Sequence, residues 1–263
     1  MYSFDLVRPT SMEDAVAALG QEDSQPLSGG QTLIPTLKQR LAMPSTLVSL
    51  SAIAELKGVS VDGNTLTIGG GTTHAEVAAE AGAYPGLAAL AGQIGDPAVR
   101  NRGTIGGSLA NNDPSACYPA AALGSGATIV TNTREVAADD YFQGMFATAL
   151  EENEIVTAVK FPIPEKAAYI KFQQPASRFA LVGVFVSKGA DGVRVAVTGA
   201  SNDGVFRWSE AEEALNGNFA ADAVEALSAP SGADMISDLH GSGDYRAHLV
   251  KVMTKRAVAK ANG

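Results

Sequence analysis

The chain has 263 residues, of which 19 are Lys or Arg and 28 are Asp or Glu, giving a formal charge of −9. That length allows one to two domains and a core burying roughly 70–75% of the surface an unfolded chain exposes, and 46% hydrophobic with 18% charged residues excludes wholesale disorder. The acidic balance argues against a nucleic-acid partner, no apolar run reaches the ~18–20 residues of a membrane span, and a single cysteine, Cys117, allows neither an internal disulfide nor an iron–sulfur cluster held by this chain alone.

The N-terminus, Met1–Pro9, has no basic region followed by an apolar stretch, so a cytoplasmic location is expected. The first segment reads strand, helix, loop, helix, strand. Ser11-Met12-Glu13-Asp14 resembles a capping box opening a helix through Leu19. After Gly29-Gly30, Leu33, Leu37 and Leu41 recur every four residues, so a helix is predicted there, with Pro35 in its first turn. Leu47–Leu50 reads as a short strand.

Thr65–Ile68 alternates as a strand into Gly69-Gly70-Gly71. Thr73-His74-Ala75-Glu76 is a second capping-box pattern, leading a helix to about Ala81, and Pro85–Ile94 reads as another. Gly95–Pro119 is polar and glycine-rich; Ala127–Val130 and Ile155–Phe161 read as strands. Pro162–Lys166 is the candidate linker. Beyond it, Tyr169–Gln173, Ala180–Lys188 and Val193–Gly199 form an antiparallel meander, with a turn at Gly189–Gly192. Ser209-Glu210-Ala211-Glu212 starts a helix. A longer one, Asp244 to about Ala261, places Tyr245, Leu249, Val252 and Ala259 near one face, with Arg256 interrupting the stripe.

Of 28 glycines, 14 fall between Gly58 and Gly126. Glycine goes where the backbone needs positive φ or must approach something closely, so this stretch reads either as a ligand-contact region or as a sheet with many tight turns. The three histidines, His74, His240 and His248, show no metal-ligand spacing and are read as surface or packing residues. No general base is conspicuous, so no catalytic residue is assigned.

Two blocks suggest binding. In Ser28-Gly29-Gly30-Gln31-Thr32-Leu33-Ile34-Pro35, two glycines ahead of a helix let successive N–H groups converge into a phosphate-binding nest. The block matches neither a P-loop nor a Rossmann fingerprint and also reads as a plain tight turn. The second block, Asn101–Pro114, repeats the glycine pair at Gly106-Gly107 between Thr104 and Ser108, then adds Asn111, Asn112 and Asp113. Two nests suit a ligand with two phosphates, and amides with a carboxylate suit the hydroxyls of a sugar or ribityl chain.

Together with Thr148–Pro162, Phe4-x-x-x-Arg8-Pro9, Ala138–Phe142 and Gly241–Leu249, these blocks resemble the FAD-binding medium subunit of the molybdenum hydroxylases, the family of carbon monoxide dehydrogenase and of the bacterial xanthine and nicotine dehydrogenases. The resemblance covers nearly the whole chain. It implies an α+β fold: two α/β FAD-binding subdomains, 1–55 and 56–164, and a C-terminal domain, 165–263, with a three-stranded antiparallel sheet and helices. It implies FAD contacts at Ser28, Gly29, Gly30, Gln31, Thr32, Leu33, Ile94, Thr104, Gly106, Gly107, Ser108, Asn111, Asp113, Val156 and Lys171, and no metal ligand in this chain.

The expected function is electron transfer, from [2Fe-2S] clusters of a small partner subunit through FAD to an external acceptor. A molybdopterin cofactor would sit in a large partner subunit, within a dimer of heterotrimers. Two other readings are a stand-alone FAD-dependent oxidoreductase acting on its own small substrate, and a scaffold that has lost FAD. The sequence departs from the family at Cys117, where relatives usually carry Asp, and at Ser177-Arg178, where they often have Gly-Asp. Phe179, where many relatives have Tyr, is expected near the flavin ring.

Overall fold

In the computed structural model, which describes residues 1–263, the first five elements are β1 (Asp5–Val7), α1 (Met12–Leu19), β2 (Ser24–Leu27), α2 (Leu33–Lys38) and β3 (Thr46–Ser49). The strands form a parallel sheet in the order β1-β3-β2. Ser11 starts α1 by accepting a hydrogen bond from the Asp14 N–H at 3.1 Å. Ala15 and Leu19 of that helix pack with Val48, Leu50, Ile53, Leu56 and Ile155 in a small core.

Two details differ from the sequence reading. The segment before Gly29 is a strand, not a loop; Pro26 is tolerated because β2 lies at a sheet edge. The helix α2 stops at Lys38, since Arg40 turns into the left-handed region at φ 61°, and Leu41 is left 74% exposed.

The second unit runs through β4 (Val59–Asp62), β5 (Thr65–Gly69), α3 (His74–Glu80), α4 (Pro85–Ala91), α5 (Pro97–Arg100), α6 (Ile105–Asn111) and α7 (Cys117–Ser125). It continues with β6 (Thr128–Thr131), β7 (Glu135–Ala137), α8 (Ala138–Tyr141), the hairpin β8 (Phe142–Gly144) and β9 (Ala147–Thr148), and β10 (Val156–Pro162). All pairings in its sheet, ordered β4-β5-β10-β6-β7, are antiparallel, and β10, the last strand in sequence, is central. The glycine-rich Gly95–Pro119 stretch is not a loop but carries α5 and α6. Asp96 caps α5 ahead of Pro97, and Thr104 caps α6.

Only Ile163-Pro164-Glu165 separates β10 from β11 (Lys166–Lys171), which is followed by β12 (Gly183–Gly189), β13 (Gly192–Ser201) and β14 (Gly204–Arg207). The three strands of the meander are present, and β14 adds a short fourth by folding back after Asn202-Asp203. Helices α9 (Ser209–Gly217), α10 (Ala221–Glu225) and α11 (Gly243–Ala261) complete the chain.

Both faces of this last sheet are covered. Tyr169, Phe185 and Ala196 pack against α7 in the second unit's core, while Val184, Val186, Val195 and Val197 pack with Ala247, Val250 and Met253 of α11. That double burial explains why Val184, Phe185 and Val186 of β12 are apolar on both faces rather than alternating. It also explains why every residue of α7, held between two sheets, is buried. The buried side of α11 is Arg246, Ala247, Leu249, Val250, Met253, Thr254, Ala257 and Val258. Tyr245, Ala259 and Arg256 face solvent instead, so the stripe read from sequence was rotated, because Arg246, a cation, occupies a core position. No helix is long and apolar enough to cross a membrane.

Candidate functional site: a cofactor cleft between the units

A cleft of about 1160 Å³ opens where the three units meet. This exceeds the ~300–1,000 Å³ of ordinary small-molecule sites and suits a ligand of dinucleotide size. All fifteen of the expected contact residues line it: Ser28 to Leu33, Ile94, Thr104, Gly106, Gly107, Ser108, Asn111, Asp113, Val156 and Lys171.

The first glycine loop joins β2 to α2. Gly30 has φ +71°, a conformation in which an L side chain is strained. Gly29 lies against the second block: a Cβ there would sit 2.1 Å from the Arg102 carbonyl oxygen. The backbone N–H groups of Gly29, Gly30, Gln31, Thr32 and Leu33 donate to no other backbone group. Five consecutive free donors on one turn are the donor set that an anion cradle needs.

The second loop is built differently, and the reading of it as a second nest does not hold. The Ile105 and Gly106 N–H groups donate to the Thr72 and Gly70 carbonyls at 3.1 and 2.9 Å. Gly107 N–H donates to the Thr104 hydroxyl at 3.2 Å, and Ser108 N–H to the Thr104 carbonyl at 3.0 Å. The donors are spent on closing α6 and seating it. Gly106 is required because a Cβ would come within 2.6 Å of the Gly70 carbonyl oxygen. What this loop offers the cleft is the Thr104 and Ser108 hydroxyls. Ser28 Oγ and Thr104 Oγ1, 2.8 Å apart, join the two loops.

The far wall carries the polar groups. The Asp113 carboxylate accepts from the Ser115 N–H at 2.8 Å. Burial raises its pKa, with that hydrogen bond acting in the opposite direction. Lys171 donates to the Gln93 carbonyl at 2.6 Å and lies 3.8 Å from Cys117 Sγ. Cys117 is buried among the apolar side chains of the central core, in keeping with a packing role. Arg100 donates to the Ile94 and Gly95 carbonyls at 3.0 and 3.2 Å, which fixes Ile94 on the rim.

His74 packs against Tyr118, with ring centroids 5.3 Å apart. Burial, with the Arg100 charge as a second cause, lowers its pKa to about 4. It is therefore a neutral packing residue that also lines the cleft, as does the exposed His240, whereas His248 is exposed outside it.

Several lining residues were not singled out from sequence: Gly70, Phe146, Glu154, Asp238 and Arg246. Glu154 is held well below the usual carboxylate range, chiefly by Arg134 at 3.0 Å. Its carboxylate also accepts from Thr131, Thr133 and the Glu151 N–H, anchoring the start of β10. The available signal was weak, because Glu154 is the last of three glutamates, Glu151, Glu152 and Glu154, ahead of an apolar strand. Ser177, Arg178 and Phe179 line the cleft as well, with Phe179 57% exposed.

Comparison with known proteins agrees with this architecture. Residues 2–164 match the family described as "FAD binding domain in molybdopterin dehydrogenase". The carbon monoxide dehydrogenase medium chain of Afipia carboxidovorans is 36% identical, over 98% of this chain and 96% of that one. The nicotine 6-hydroxylase medium subunit of Paenarthrobacter nicotinovorans is 35% identical, over 96% and 95%. Among solved structures, reconstituted CO dehydrogenase from Oligotropha carboxidovorans superposes with a TM-score of 0.88 at 34% identity, covering 99% of this chain and 98% of that one. Quinoline 2-oxidoreductase from Pseudomonas putida 86 does so with a TM-score of 0.87 at 29% identity, covering 99% and 97%. The chain belongs to the family of FAD-binding medium subunits of the molybdenum hydroxylases.

Proposed function

We propose that this chain is the electron-transfer subunit of a cytoplasmic molybdenum hydroxylase, holding FAD in the cleft between residues 1–55, 56–164 and 165–263. The observation that carries the reading is the run of free N–H groups from Gly29 to Leu33, in a turn opened by two glycines. The chemistry of the donor set fits FAD. Backbone dipoles rather than lysines face the anion, so a chain of charge −9 can still hold a diphosphate.

In this reading the first loop binds one phosphate through its N–H groups, and the Thr104 and Ser108 hydroxyls serve the other. Asn111 and Asp113 address the ribityl hydroxyls, and Ile94, Val156 and Lys171 orient the remainder. FAD, when bound, supplies an exchange between one-electron donors and an external acceptor. The protein's part is to fix the cofactor and limit its exposure. Electrons would come from [2Fe-2S] clusters of a small subunit, and substrate oxidation would occur at a molybdopterin cofactor in a large one, in a dimer of heterotrimers. The single cysteine supports this division, because the chain cannot hold a thiolate-ligated cluster itself.

The test is anaerobic reduction of the complex. The flavin absorbance should bleach on addition of the complex's own substrate when the iron–sulfur subunit is present, and should not when the medium chain is alone. Bleaching of the isolated chain by that substrate would overturn the electron-transfer reading in favour of a stand-alone oxidoreductase.

A further inference from the structure

Arg246 is the least expected residue of the cleft. It lies in the first turns of α11 with its side chain 4% exposed. Its guanidinium reaches three separate segments. Nη1 donates to the Leu181 carbonyl at 2.8 Å and the Gly199 carbonyl at 2.6 Å, and Nη2 donates to both oxygens of Asp238 at 2.8 and 2.9 Å. Asp238 is itself fixed, accepting from the His240 N–H at 2.9 Å.

The contact continues toward the cofactor loop. Gly199 has φ +80°, and a Cβ there would sit 2.7 Å from the Leu181 carbonyl oxygen, so the two carbonyls converge on the guanidinium without obstruction. The same glycine donates its N–H to the Pro114 carbonyl at 2.7 Å. Beside it, the buried Thr198 hydroxyl lies 2.7 Å from both the Pro114 and the Ala116 carbonyls. Pro114 and Ala116 belong to the turn between Asp113 and Cys117, on the wall of the cleft.

We infer that Arg246 is a positioning residue: through Gly199 and Thr198 it holds the Asp113–Cys117 turn, and so the C-terminal unit sets one wall of the FAD site. The inference rests on the FAD reading above only for the identity of what the wall faces. Stability alone does not account for this side chain. A buried ion pair is often no better than an apolar residue of similar volume, and α11 already has an apolar face on which one could pack. What only a guanidinium supplies is a planar fork that fixes two carbonyls and a carboxylate at once.

The experiment compares the full chain with Arg246→Met, Thr198→Val and, as a control, Leu215→Ala, a core truncation in α9 whose side chain does not line the cleft. Hydrogen exchange is read in the FAD-free chain at the Ser115 and Ala116 amides, which close the turn. FAD affinity and the visible circular dichroism of bound FAD are read separately. Arg246→Met should speed exchange at both amides and weaken FAD binding by about tenfold or more. Thr198→Val should act in the same direction with a smaller effect. Leu215→Ala should lower the melting temperature and leave the turn and the dichroism unchanged.

Unchanged exchange in Arg246→Met overturns the inference, even where Thr198→Val speeds it. So does a Leu215→Ala variant that disturbs the turn as much as they do. If Arg246→Met does not fold, Arg246→Lys, which keeps the charge but not the planar fork, is read in its place with the same two outcomes. A wild-type chain that binds no FAD would overturn the cofactor reading instead, while the exchange result would still judge the clamp.

Discussion

The two glycine loops look alike in sequence and do opposite things. In Gly29–Leu33 the glycines free the backbone: five consecutive N–H groups find no backbone acceptor. In Thr104–Ser108 they let the backbone close on itself and on its neighbours, with N–H groups donated to Thr72, Gly70 and Thr104. A Gly-Gly pair therefore marks a missing Cβ, and what fills the space depends on the surroundings. In the first loop Gly29 gives it to the Arg102 backbone and Gly30 takes a positive φ, which leaves the N–H groups free; in the second, Gly106 gives it to the Gly70 backbone.

Breaking the contact between the loops should have the largest effect. Gly29 is where they touch, since a Cβ would meet the Arg102 carbonyl oxygen at 2.1 Å, a backbone atom that cannot swing away. Gly29→Val should cost about 3 kcal/mol or more of stability and abolish FAD binding, read by denaturant unfolding and by the flavin absorbance of the purified chain. A variant that stays yellow with unchanged stability would show that the two loops are independent.

Acid should disturb the second loop selectively. His74 lies beneath it, so close that a Cβ on Gly103 would be 2.5 Å from Nε2. Its folded pKa of about 4 is below the ordinary 6.5, so the unfolded chain binds more protons between those values. Stability therefore rises with pH through that window: the contribution is complete above pH 6.5 and is lost as pH falls toward 4, for a total of about 3 kcal/mol. Melting temperatures from pH 7 to 4.5 should fall in the wild type and flatten in His74→Gln. Glu154 also withdraws stability in acid, but only as pH drops below its ordinary value of 4.5, so the windows separate.

Much of the fold was legible because its signals are local. Ser11 and Thr73 each precede an acid by three residues, and both cap a helix as that pattern implies. Strands β5, β10, β12 and β13 follow alternating or continuous apolar runs. The Gly95–Pro119 helices were missed because glycine at Gly106 and Gly107 depresses helix propensity. Thr104 is followed at the third position by Gly107 rather than by an acid, so its cap carries no reciprocal partner. Tertiary seating on Gly70 outweighed propensity there.

The residues expected at the cofactor all line the cleft, but the different hydrogen bonding of the two loops was not anticipated. Whether Gly29 serves a donor or a close approach depends on Arg102, more than seventy positions away. Arg246 escaped notice for a related reason: its neighbours Leu181 and Gly199 come together only in the folded sheet.

Within the first loop, Gly30 separates conformation from collision. Its φ of +71° costs an L residue roughly 1–2 kcal/mol, and its Cβ would press on the Ile34 and Leu27 side chains at 3.0 and 3.2 Å, which can shift. Gly30→Ala should therefore fold with a modest loss of stability and bind FAD weakly. Gly30→Val, whose branched bulk against Ile34 and Leu27 distorts the turn that carries the free N–H groups, should yield a folded, colourless chain. Stoichiometric FAD in the valine variant would refute the cradle.

The smallest effect should come from the hydroxyl pair that joins the loops. Thr104 Oγ1 accepts from the Gly107 N–H at 3.2 Å and lies 2.8 Å from Ser28 Oγ. Thr104→Val removes a helix cap as well as the link and should cost about 1 kcal/mol, at most ~2. Ser28→Ala removes only the link and leaves α6 capped, so about 0.5–1 kcal/mol is expected. If the pair acts as a bridge, the double variant should lose no more than Thr104→Val alone, because the second change then has nothing left to remove. Measured by urea unfolding of the FAD-free chain, that non-additivity isolates the contact between the loops from the cap. Strict additivity of the two losses would mean that the hydroxyls contribute separately and that the loops are held together by the Gly29–Arg102 approach alone.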